Sequence, residues 1–153
     1  MTLEIERKFK VKNPEILHGL KGTHFLQAYL TKGAVLVRVR VTQGWAKLTL
    51  KSGRIGLGAC HEWEYDIPLD DGIAMARQPG AYALEKTRFF IEHAGHTFEL
   101  DQYHGGLTGL YTVEVELEDI AAAVDLPDWI GEEVTGQRAW DNESLARNGW
   151  PAE

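Results

Sequence analysis

The first residues that could do chemistry together are Glu4, Glu6 and Lys8, which stand at every second position of Glu4-Ile5-Glu6-Arg7-Lys8. Side chains of a β-strand alternate between its two faces, so these three share one face. Two carboxylates one strand pitch apart repel strongly when desolvated, unless a divalent cation or neighbouring Lys and Arg side chains neutralise them. A buried version of this face is therefore a candidate metal site.

The same alternation recurs along the chain and predicts eight strands, most of which are separated by turn signals such as Lys32-Gly33 and Gln43-Gly44. This spacing favours an antiparallel sheet. Most of the predicted strands carry charged side chains on one face and apolar side chains on the other. The charged members, besides those of the first strand, are Arg38, Arg40, Lys47, Lys51, Glu62, Glu64, Lys86, Arg88, Asp101, Glu114 and Glu116.

Two interpretations of these charged faces remain open. In the first, the sheet has one solvated face, as antiparallel sheets commonly do. In the second, an eight-stranded sheet closes into a barrel with the charged faces inward, and its apolar faces point outward, where helices or a partner subunit must cover them. The interior is then an ionic tunnel. Its Arg and Lys side chains would bind phosphate oxygens, and its carboxylates would hold the Mg²⁺ or Mn²⁺ that accompanies a polyphosphate.

Length and composition favour one globular domain over residues 1–153. The chain lacks an apolar tract long enough to span a bilayer and begins unlike a secretory signal, so we expect a cytoplasmic protein. Its net charge of -7 argues against a general nucleic-acid surface. A lone Cys60 cannot form an internal disulfide. A few flanking helices are expected at 14–20, 70–78, 118–124 and 141–148.

Taken in order, these motifs resemble the CYTH superfamily, the triphosphate tunnel metalloenzymes. The segment from Glu4 to Lys8 is similar to the E-x-E-x-K signature of that superfamily. The landmarks that follow in family order are Arg38-Val39-Arg40, Leu50-Lys51, Glu62-x-Glu64, Glu85-Lys86-Thr87-Arg88, Glu99-Leu100-Asp101 and Glu114-Val115-Glu116, with further likeness at 131–135 and 142–145. The resemblance covers nearly the whole chain. It implies a mainly β (α+β) fold, an eight-stranded antiparallel closed β-barrel that binds triphosphates with divalent metal.

Members of this superfamily hydrolyse inorganic tripolyphosphate, nucleoside triphosphates or thiamine triphosphate, or cyclise ATP. Tyr29 and Lys86 resemble a Tyr/Lys pair of the small bacterial inorganic triphosphatases, which favours release of phosphate from tripolyphosphate, leaving pyrophosphate. Leu36 stands where members acting on thiamine triphosphate carry a Trp. An adenylate cyclase, a nucleoside or thiamine triphosphatase, and a non-catalytic polyphosphate-binding module remain the alternatives.

The resemblance also implies roles for the charged residues. Carboxylates would hold two divalent ions during turnover: Glu4, Glu6, Glu114 and Glu116 for the first, Asp101 and Glu64 for the second, with Glu62 as a further candidate. Phosphate oxygens would be bound by Lys8, Arg38, Arg40, Lys51 and Arg88, with Lys47 either among them or at the tunnel rim. Lys86 and Tyr29 are the expected catalytic pair, in which neighbouring cations lower the pKa of Lys86 and a hydrogen bond to Tyr29 lets it help orient the attacking water.

One departure concerns the segment before Glu62. Many relatives place an Arg there, whereas this chain has Gly58-Ala59-Cys60-His61. Arg54 and His61 are the candidates to replace that cation, although His61 is expected at the rim or on the surface. The outward apolar faces, with few helices to cover them, are also compatible with a homodimer.

Overall fold

The structure is a computed structural model that describes residues 1–151, except for the side chain of Arg54. Nine antiparallel strands and two short α-helices make up the fold of these residues. The interpretation of Arg54 as a substitute cation therefore lies outside the described residues. The strands are β1 (Thr2–Val11), β2 (Thr23–Tyr29), β3 (Leu36–Val41), β4 (Ala46–Gly56), β5 (Ala59–Ile67), β6 (Tyr82–His93), β7 (His96–Tyr103), β8 (Tyr111–Glu116) and β9 (Ile130–Glu133). The helices are α1 (Leu69–Ala76) and α2 (Asn142–Asn148).

Eight of the strands close into a barrel in the order β1-β5-β4-β3-β2-β6-β7-β8 and back to β1. Closure comes from antiparallel pairing of β1 with β5, from Thr2 opposite Glu62 to Ile5 opposite Ala59. The predicted eight-stranded antiparallel closed barrel is thus confirmed. Each strand finds backbone partners on both sides, so the barrel leaves no long open edge.

The short strand β9 is the one strand that the sequence pattern did not predict. β1 pairs with β5 only from Thr2 to Ile5, so the second half of β1 has no partner from β5 on that side. β9 fills this place, with Phe9 opposite Glu133 and Val11 opposite Ile130. Backbone groups in a sheet need hydrogen-bond partners, and β9 supplies them where β5 ends.

The outward apolar faces are covered by elements of the same chain. Helix α1 packs over Val39, Val41 and Ala46, and it approaches so closely that a Cβ on Gly72 would lie 2.5 Å from the Cβ of Ala46. On the other side, Trp129 packs edge-on against Phe98 with the ring centroids 6.0 Å apart. This covering lets the barrel turn its apolar faces away from its interior.

Helix α2 lies across one end of the barrel. Its Leu145 is fully buried against Leu84, Tyr103, Leu107 and Leu110, a small apolar cluster on the inner side of the wall. The interior is therefore apolar at this end and charged along the rest of its length.

The expected helix at 118–124 is wrong. The Asp119 carboxylate accepts a hydrogen bond from the Ala121 N–H at 2.8 Å and caps a single turn, after which residues 122–127 have no regular secondary structure. Val124 in this segment packs against the apolar cluster around Trp129. The segment expected at 14–20 forms only a 3₁₀ turn, Pro14–Leu17. Over residues 1–151, we find no helix with the length and apolar character needed to cross a membrane.

Candidate active site

The charged faces of the strands point into the barrel and surround a cavity of about 400 Å³. A volume of this size suits a small molecule. The charged side chains that the barrel strands contribute to its lining are Glu4, Glu6, Lys8, Arg38, Arg40, Lys51, Glu62, Glu64, Arg88, Glu99, Glu114 and Glu116, and the segment that leads into and begins α2 adds Arg138, Asp141 and Glu143. The interpretation with inward charged faces is therefore the one that the fold adopts.

Glu6 and Glu114 form a close pair of carboxyl groups on the neighbouring strands β1 and β8. Burial, together with the charges of Glu114 and Glu4, raises the pKa of Glu6 well above its usual range. Burial acts on Glu114 in the same sense, but Lys8, with Nζ 3.3 Å from Glu114 Oε1, and a hydrogen bond from Glu6 hold its pKa well below the usual range. These shifts favour the neutral form of Glu6 and the charged form of Glu114.

A second carboxyl pair, Glu4 and Glu62, lies where β1 meets β5. Lys51 Nζ lies 2.7 Å from Glu4 Oε1 and 3.5 Å from Glu62 Oε2. Burial favours the neutral form of Glu4, but Lys51 and Glu62 lower its pKa. Burial and the neighbouring Glu4 raise the pKa of Glu62 to about 7. In each of the two pairs, one carboxyl group, Glu6 or Glu62, thus has a raised pKa that favours its protonated form.

The donor chemistry of these pairs fits a divalent cation. Carboxylate oxygens are the ligands that Mg²⁺ and Mn²⁺ prefer, and a cation would take the place of the protons that relieve the repulsion between Glu6 and Glu114. Within residues 1–151, however, no three His, Cys, Asp or Glu side chains already stand around a common point as metal ligands. The four predicted ligands Glu4, Glu6, Glu114 and Glu116 all line the same cavity.

Several of the predicted phosphate-binding cations are paired with carboxylates of the wall. Arg38 NH2 lies 3.6 Å from Glu64 Oε2, and Arg88 NH1 lies 2.6 Å from Glu99 Oε2. Thr49 joins the first pair, because its hydroxyl accepts from Arg38 and donates to Glu64. The wall thus keeps its cations extended towards the cavity.

Lys47 is placed at the rim. Its ammonium lies 3.7 Å from Glu64 and 3.5 Å from Asp66, its side chain is 36% exposed, and it does not line the cavity. Of the two positions that the sequence left open for Lys47, the fold adopts the outer one.

Lys86 and Asp101 lie within the wall, beneath the cavity surface. Neither is exposed, and Lys86 Nζ donates to Asp101 Oδ2 at 2.8 Å and to Asn142 Oδ1 at 3.2 Å. Arg88 binds Asp101 through two N–H groups, at 2.8 and 2.9 Å, so both carboxylate oxygens are engaged. Burial, with the charges of Arg88 and Arg40, lowers the pKa of Lys86 well below its usual range, although Asp101 opposes this.

Tyr29 lines the cavity but lies apart from Lys86. The register of β2 and β6 places Tyr29 opposite Tyr82 and Phe25 opposite Lys86. Four residues along a strand amount to roughly 13 Å. The Tyr29 hydroxyl instead accepts a hydrogen bond from Gln27 Nε2 at 2.6 Å. The structure therefore does not bring the expected Tyr/Lys pair into contact.

The segment before Glu62 offers no cation among its described side chains. Cys60 occupies the inward position and lines the cavity, with Sγ 3.9 Å from Glu4 Oε1. His61 is on the opposite face of β5, next to Trp63, where its Nδ1 lies 3.2 Å from Met1 Sδ. The expectation that His61 lies away from the tunnel wall agrees with this placement.

Several residues of the site were not singled out from the sequence, among them Glu99, Gln27 and Asn142. Glu99 shares the inner face of β7 with Asp101, and strand alternation alone could have indicated it. Gln27 also follows that alternation, but a single amide carries no charge signal. Asn142 begins α2 and accepts hydrogen bonds from Lys86 and the Tyr103 hydroxyl, a placement that depends on how the helix docks.

Comparison with known proteins gives a consistent result. The model of the CYTH domain family matches residues 2–146. An inorganic triphosphatase of Acetivibrio thermocellus is 35% identical over 153 residues, spanning 97% of this chain and 96% of that protein. An inorganic triphosphatase of Nitrosomonas europaea is 36% identical over 151 residues, spanning 94% and 96%.

Among solved structures, that of the inorganic triphosphatase NE1496 is similar throughout. It superposes with a TM-score of 0.64 at 34% identity, covering 95% of each chain. The likeness therefore extends over nearly the whole length of the chain.

Proposed function

The chain belongs to the CYTH domain family, and we propose that it is an inorganic triphosphatase, a hydrolase that cleaves tripolyphosphate into phosphate and pyrophosphate. The observation that carries the proposal is the inner wall of the barrel, where cations and carboxylates surround one cavity. Such a wall matches both a polyphosphate and the divalent cation that accompanies it.

The wall also favours a substrate without a ring. Of the described side chains that line the cavity, only Tyr29 is aromatic, and Leu36 stands where a Trp would be expected for thiamine triphosphate. Adenine and thiamine rings are commonly held by stacking on aromatic side chains. Inorganic tripolyphosphate needs no such surface.

The carboxylates Glu4, Glu6, Glu114 and Glu116 would hold the divalent cation, for which Mg²⁺ and Mn²⁺ are the candidates. When bound, the cation would neutralise charge on the phosphate oxygens and lower the pKa of the attacking water. Glu64 suits a second ion better than Asp101 does, because Glu64 lines the cavity, whereas Asp101 is fully buried with both oxygens engaged by Lys86 and Arg88.

The chain's own residues would then act on the phosphate groups. Lys8, Arg38, Arg40, Lys51 and Arg88 would bind phosphate oxygens, exchanging wall carboxylates for substrate. Tyr29 would touch the substrate through its hydroxyl. Lys86 would act from within the wall, where its lowered pKa and its bonds to Asp101 and Asn142 suit a group that orients the attacking water.

We further propose a cytoplasmic, single-domain enzyme whose partner molecules are small triphosphates rather than nucleic acid or membranes. The net charge of -7 supports the exclusion of nucleic acid. Three exposed apolar side chains, Leu3 on β1, Ile55 on β4 and Leu57 in the turn between β4 and β5, support a homodimer. Sedimentation velocity of the purified protein tests this assembly.

Phosphate release by the purified protein from tripolyphosphate, ATP and thiamine triphosphate, each with Mg²⁺ or Mn²⁺, tests the activity. Glu114→Gln removes one inner carboxylate, and Glu92→Gln makes the same change at an exposed position on the β6–β7 hairpin. We expect metal-dependent release that favours tripolyphosphate, is lost in Glu114→Gln and is retained in Glu92→Gln.

Other products would assign the alternatives. Formation of cyclic AMP and pyrophosphate from ATP would make the protein a cyclase. Preference for ATP or thiamine triphosphate with phosphate release would change the substrate class. Tight metal-dependent binding of tripolyphosphate without turnover would make the protein a polyphosphate-binding module.

A further inference from the structure

Gln27 lies on the inner face of β2, fully buried between Tyr29 and Arg40. Its Oε1 accepts from Arg40 Nε at 2.9 Å, and its Nε2 donates to the Tyr29 hydroxyl at 2.6 Å. A guanidinium carries only donors, so Arg40 fixes which end of the amide faces it. The Tyr29 oxygen therefore accepts from Gln27, and its own hydrogen remains free to be donated towards the cavity.

Arg40 differs from the other cations that the barrel strands present to the cavity. Lys8, Arg38, Lys51 and Arg88 each have a carboxylate partner, whereas in the described part of the chain Arg40 has none. Burial, together with Arg38 and Arg88, lowers the pKa of Arg40 to about 9, which leaves it charged at neutral pH. Its positive charge is thus held in the wall without a directly paired carboxylate.

Two neutral groups hold the Arg40 side chain instead. Gln27 fixes Nε, and the ring of the buried Phe25 lies 4.8 Å from Arg40 Cζ, beneath the guanidinium plane. With Nε engaged, the terminal N–H groups of Arg40 remain for a ligand in the cavity that they line. A planar guanidinium presented in this way is suited to two oxygens of one phosphate group.

We propose that Gln27 is a positioning residue for triphosphate binding, a neutral acceptor that orients Arg40 and Tyr29 and leaves the charge of Arg40 available to a phosphate oxygen. The inference rests on the proposed function, because it assigns a substrate group to Arg40. A carboxylate at the same position would pair with Arg40 and compete with the substrate. The neutrality of residue 27 therefore contributes directly to affinity for the anion.

The central experiment compares Gln27→Glu with Gln102→Glu. Both changes replace an amide by a carboxylate of the same size, but Gln102 lies on the outer face of β7. The KM and kcat for tripolyphosphate are measured, together with the shift of unfolding temperature that tripolyphosphate produces in EDTA. We expect Gln27→Glu to raise KM about 10- to 100-fold, the range for loss of a charge-assisted hydrogen bond, and to change kcat much less.

A second variant tests the orienting bonds without adding charge. Gln27→Leu removes both hydrogen bonds while keeping an apolar side chain in the buried site, and it is also made together with Arg40→Met. If Gln27 acts through Arg40, the rise in KM caused by Gln27→Leu largely disappears in the double variant. Independent, additive effects would overturn the proposed role.

The outcomes separate this inference from the proposed function. Wild-type protein that binds tripolyphosphate in EDTA but does not hydrolyse it when Mg²⁺ or Mn²⁺ is supplied would refute the enzyme assignment, and loss of that binding in Gln27→Glu would still support the inference. Wild-type protein that hydrolyses tripolyphosphate, with KM unchanged in Gln27→Glu, would overturn the inference and leave the enzyme intact. Equal rises of KM in Gln27→Glu and Gln102→Glu would also overturn it, because added charge alone would explain them.

Discussion

Lys86 Nζ lies 2.8 Å from Asp101 Oδ2, and both side chains are completely excluded from solvent. The same carboxylate accepts two hydrogen bonds from Arg88. Asp101 therefore compensates two buried cations at once, and it joins the wall of the barrel to the residues that line the cavity.

Asp101→Asn should strongly destabilise the protein. The amide cannot neutralise Lys86 and Arg88, and removing one partner of a buried ion pair typically costs about 3–5 kcal/mol. The measurement is the free energy of unfolding in urea at pH 7. Asp66→Asn is the control, because Asp66 is 83% exposed and pairs only with Lys47 at the rim. A loss in Asp101→Asn no larger than in Asp66→Asn would contradict the structural role.

The same carboxylate should contribute to acid unfolding. Burial alone would raise its pKa, but Arg88 and Lys86 lower the pKa of Asp101 from 3.8 to about 2. A carboxyl with a depressed folded-state pKa stabilises the protein above its unfolded pKa and loses that contribution as the pH falls through the folded value. Wild-type stability should therefore fall between about pH 4 and pH 2 more steeply than that of Asp101→Asn. Parallel curves for the two proteins would exclude this contribution.

Lys86→Ala and Lys86→Met should lower kcat for tripolyphosphate far more than they raise KM. Lys86 does not line the cavity, so its loss should leave most substrate contacts in place, whereas a group that orients the attacking water contributes about 100-fold to turnover. Steady-state kinetics give both constants, and Lys86→Met controls for lost volume. Equal effects on binding and turnover would show that Lys86 serves as a phosphate ligand or a packing contact.

Strand alternation predicted much of this site because a period of two decides which side chains face inward. Once β1 is placed with Glu4 and Glu6 inside, the same parity on the other strands assigns residues such as Arg38 and Glu114 without further information. Alternation alone left an open sheet and a closed barrel as alternatives, and the closed barrel was implied by the resemblance to the CYTH superfamily. The family motifs agree with this parity along the whole chain.

The remaining features of the site depend on how two distant segments of the chain are placed against each other, which the sequence of neither segment shows by itself. The register of β2 against β6 sets Tyr29 four residues away from the partner of Lys86, and no pattern within either strand contains that offset. Asn142 reaches Lys86 only because α2 docks across the barrel end through Leu145. The turn at Asp119 and the packing of Val124 on the outer apolar cluster likewise involve contacts outside that segment.

Gly58→Ala should destabilise the closure between β1 and β5. Gly58 has φ +72°, and a Cβ there would lie 2.4 Å from the carbonyl oxygen of Glu6. The Glu6 N–H donates a hydrogen bond to the carbonyl oxygen of Gly58, so the two backbones are in direct contact. Gly95→Ala is a matched control, since Gly95 has φ +84° but open space around it. Strain at positive φ costs about 1 kcal/mol in both, and the backbone clash adds further destabilisation only at Gly58. Equal unfolding free energies for the two variants would contradict the clash.

Glu6→Gln should have opposite effects on the metal-free and the metal-bound protein. Burial and the charges of Glu114 and Glu4 raise the pKa of Glu6 well above its usual range, so the folded state holds this proton more tightly than the unfolded state does. The raised pKa of Glu6 therefore makes folding less favourable at pH values above the unfolded pKa. An uncharged Gln should raise the stability measured in EDTA at pH 7 by about 1 kcal/mol or more.

The metal-bound protein should respond in the opposite sense. Saturating Mg²⁺ or Mn²⁺ should stabilise the wild type by about 2.7 kcal/mol at a hundred times the Kd and should stabilise Glu6→Gln far less. Glu92→Gln should behave as the wild type in both conditions. A metal-free loss of stability in Glu6→Gln would show that the carboxyl pair stabilises the barrel as it stands, and an undiminished response to the cation would place the metal elsewhere.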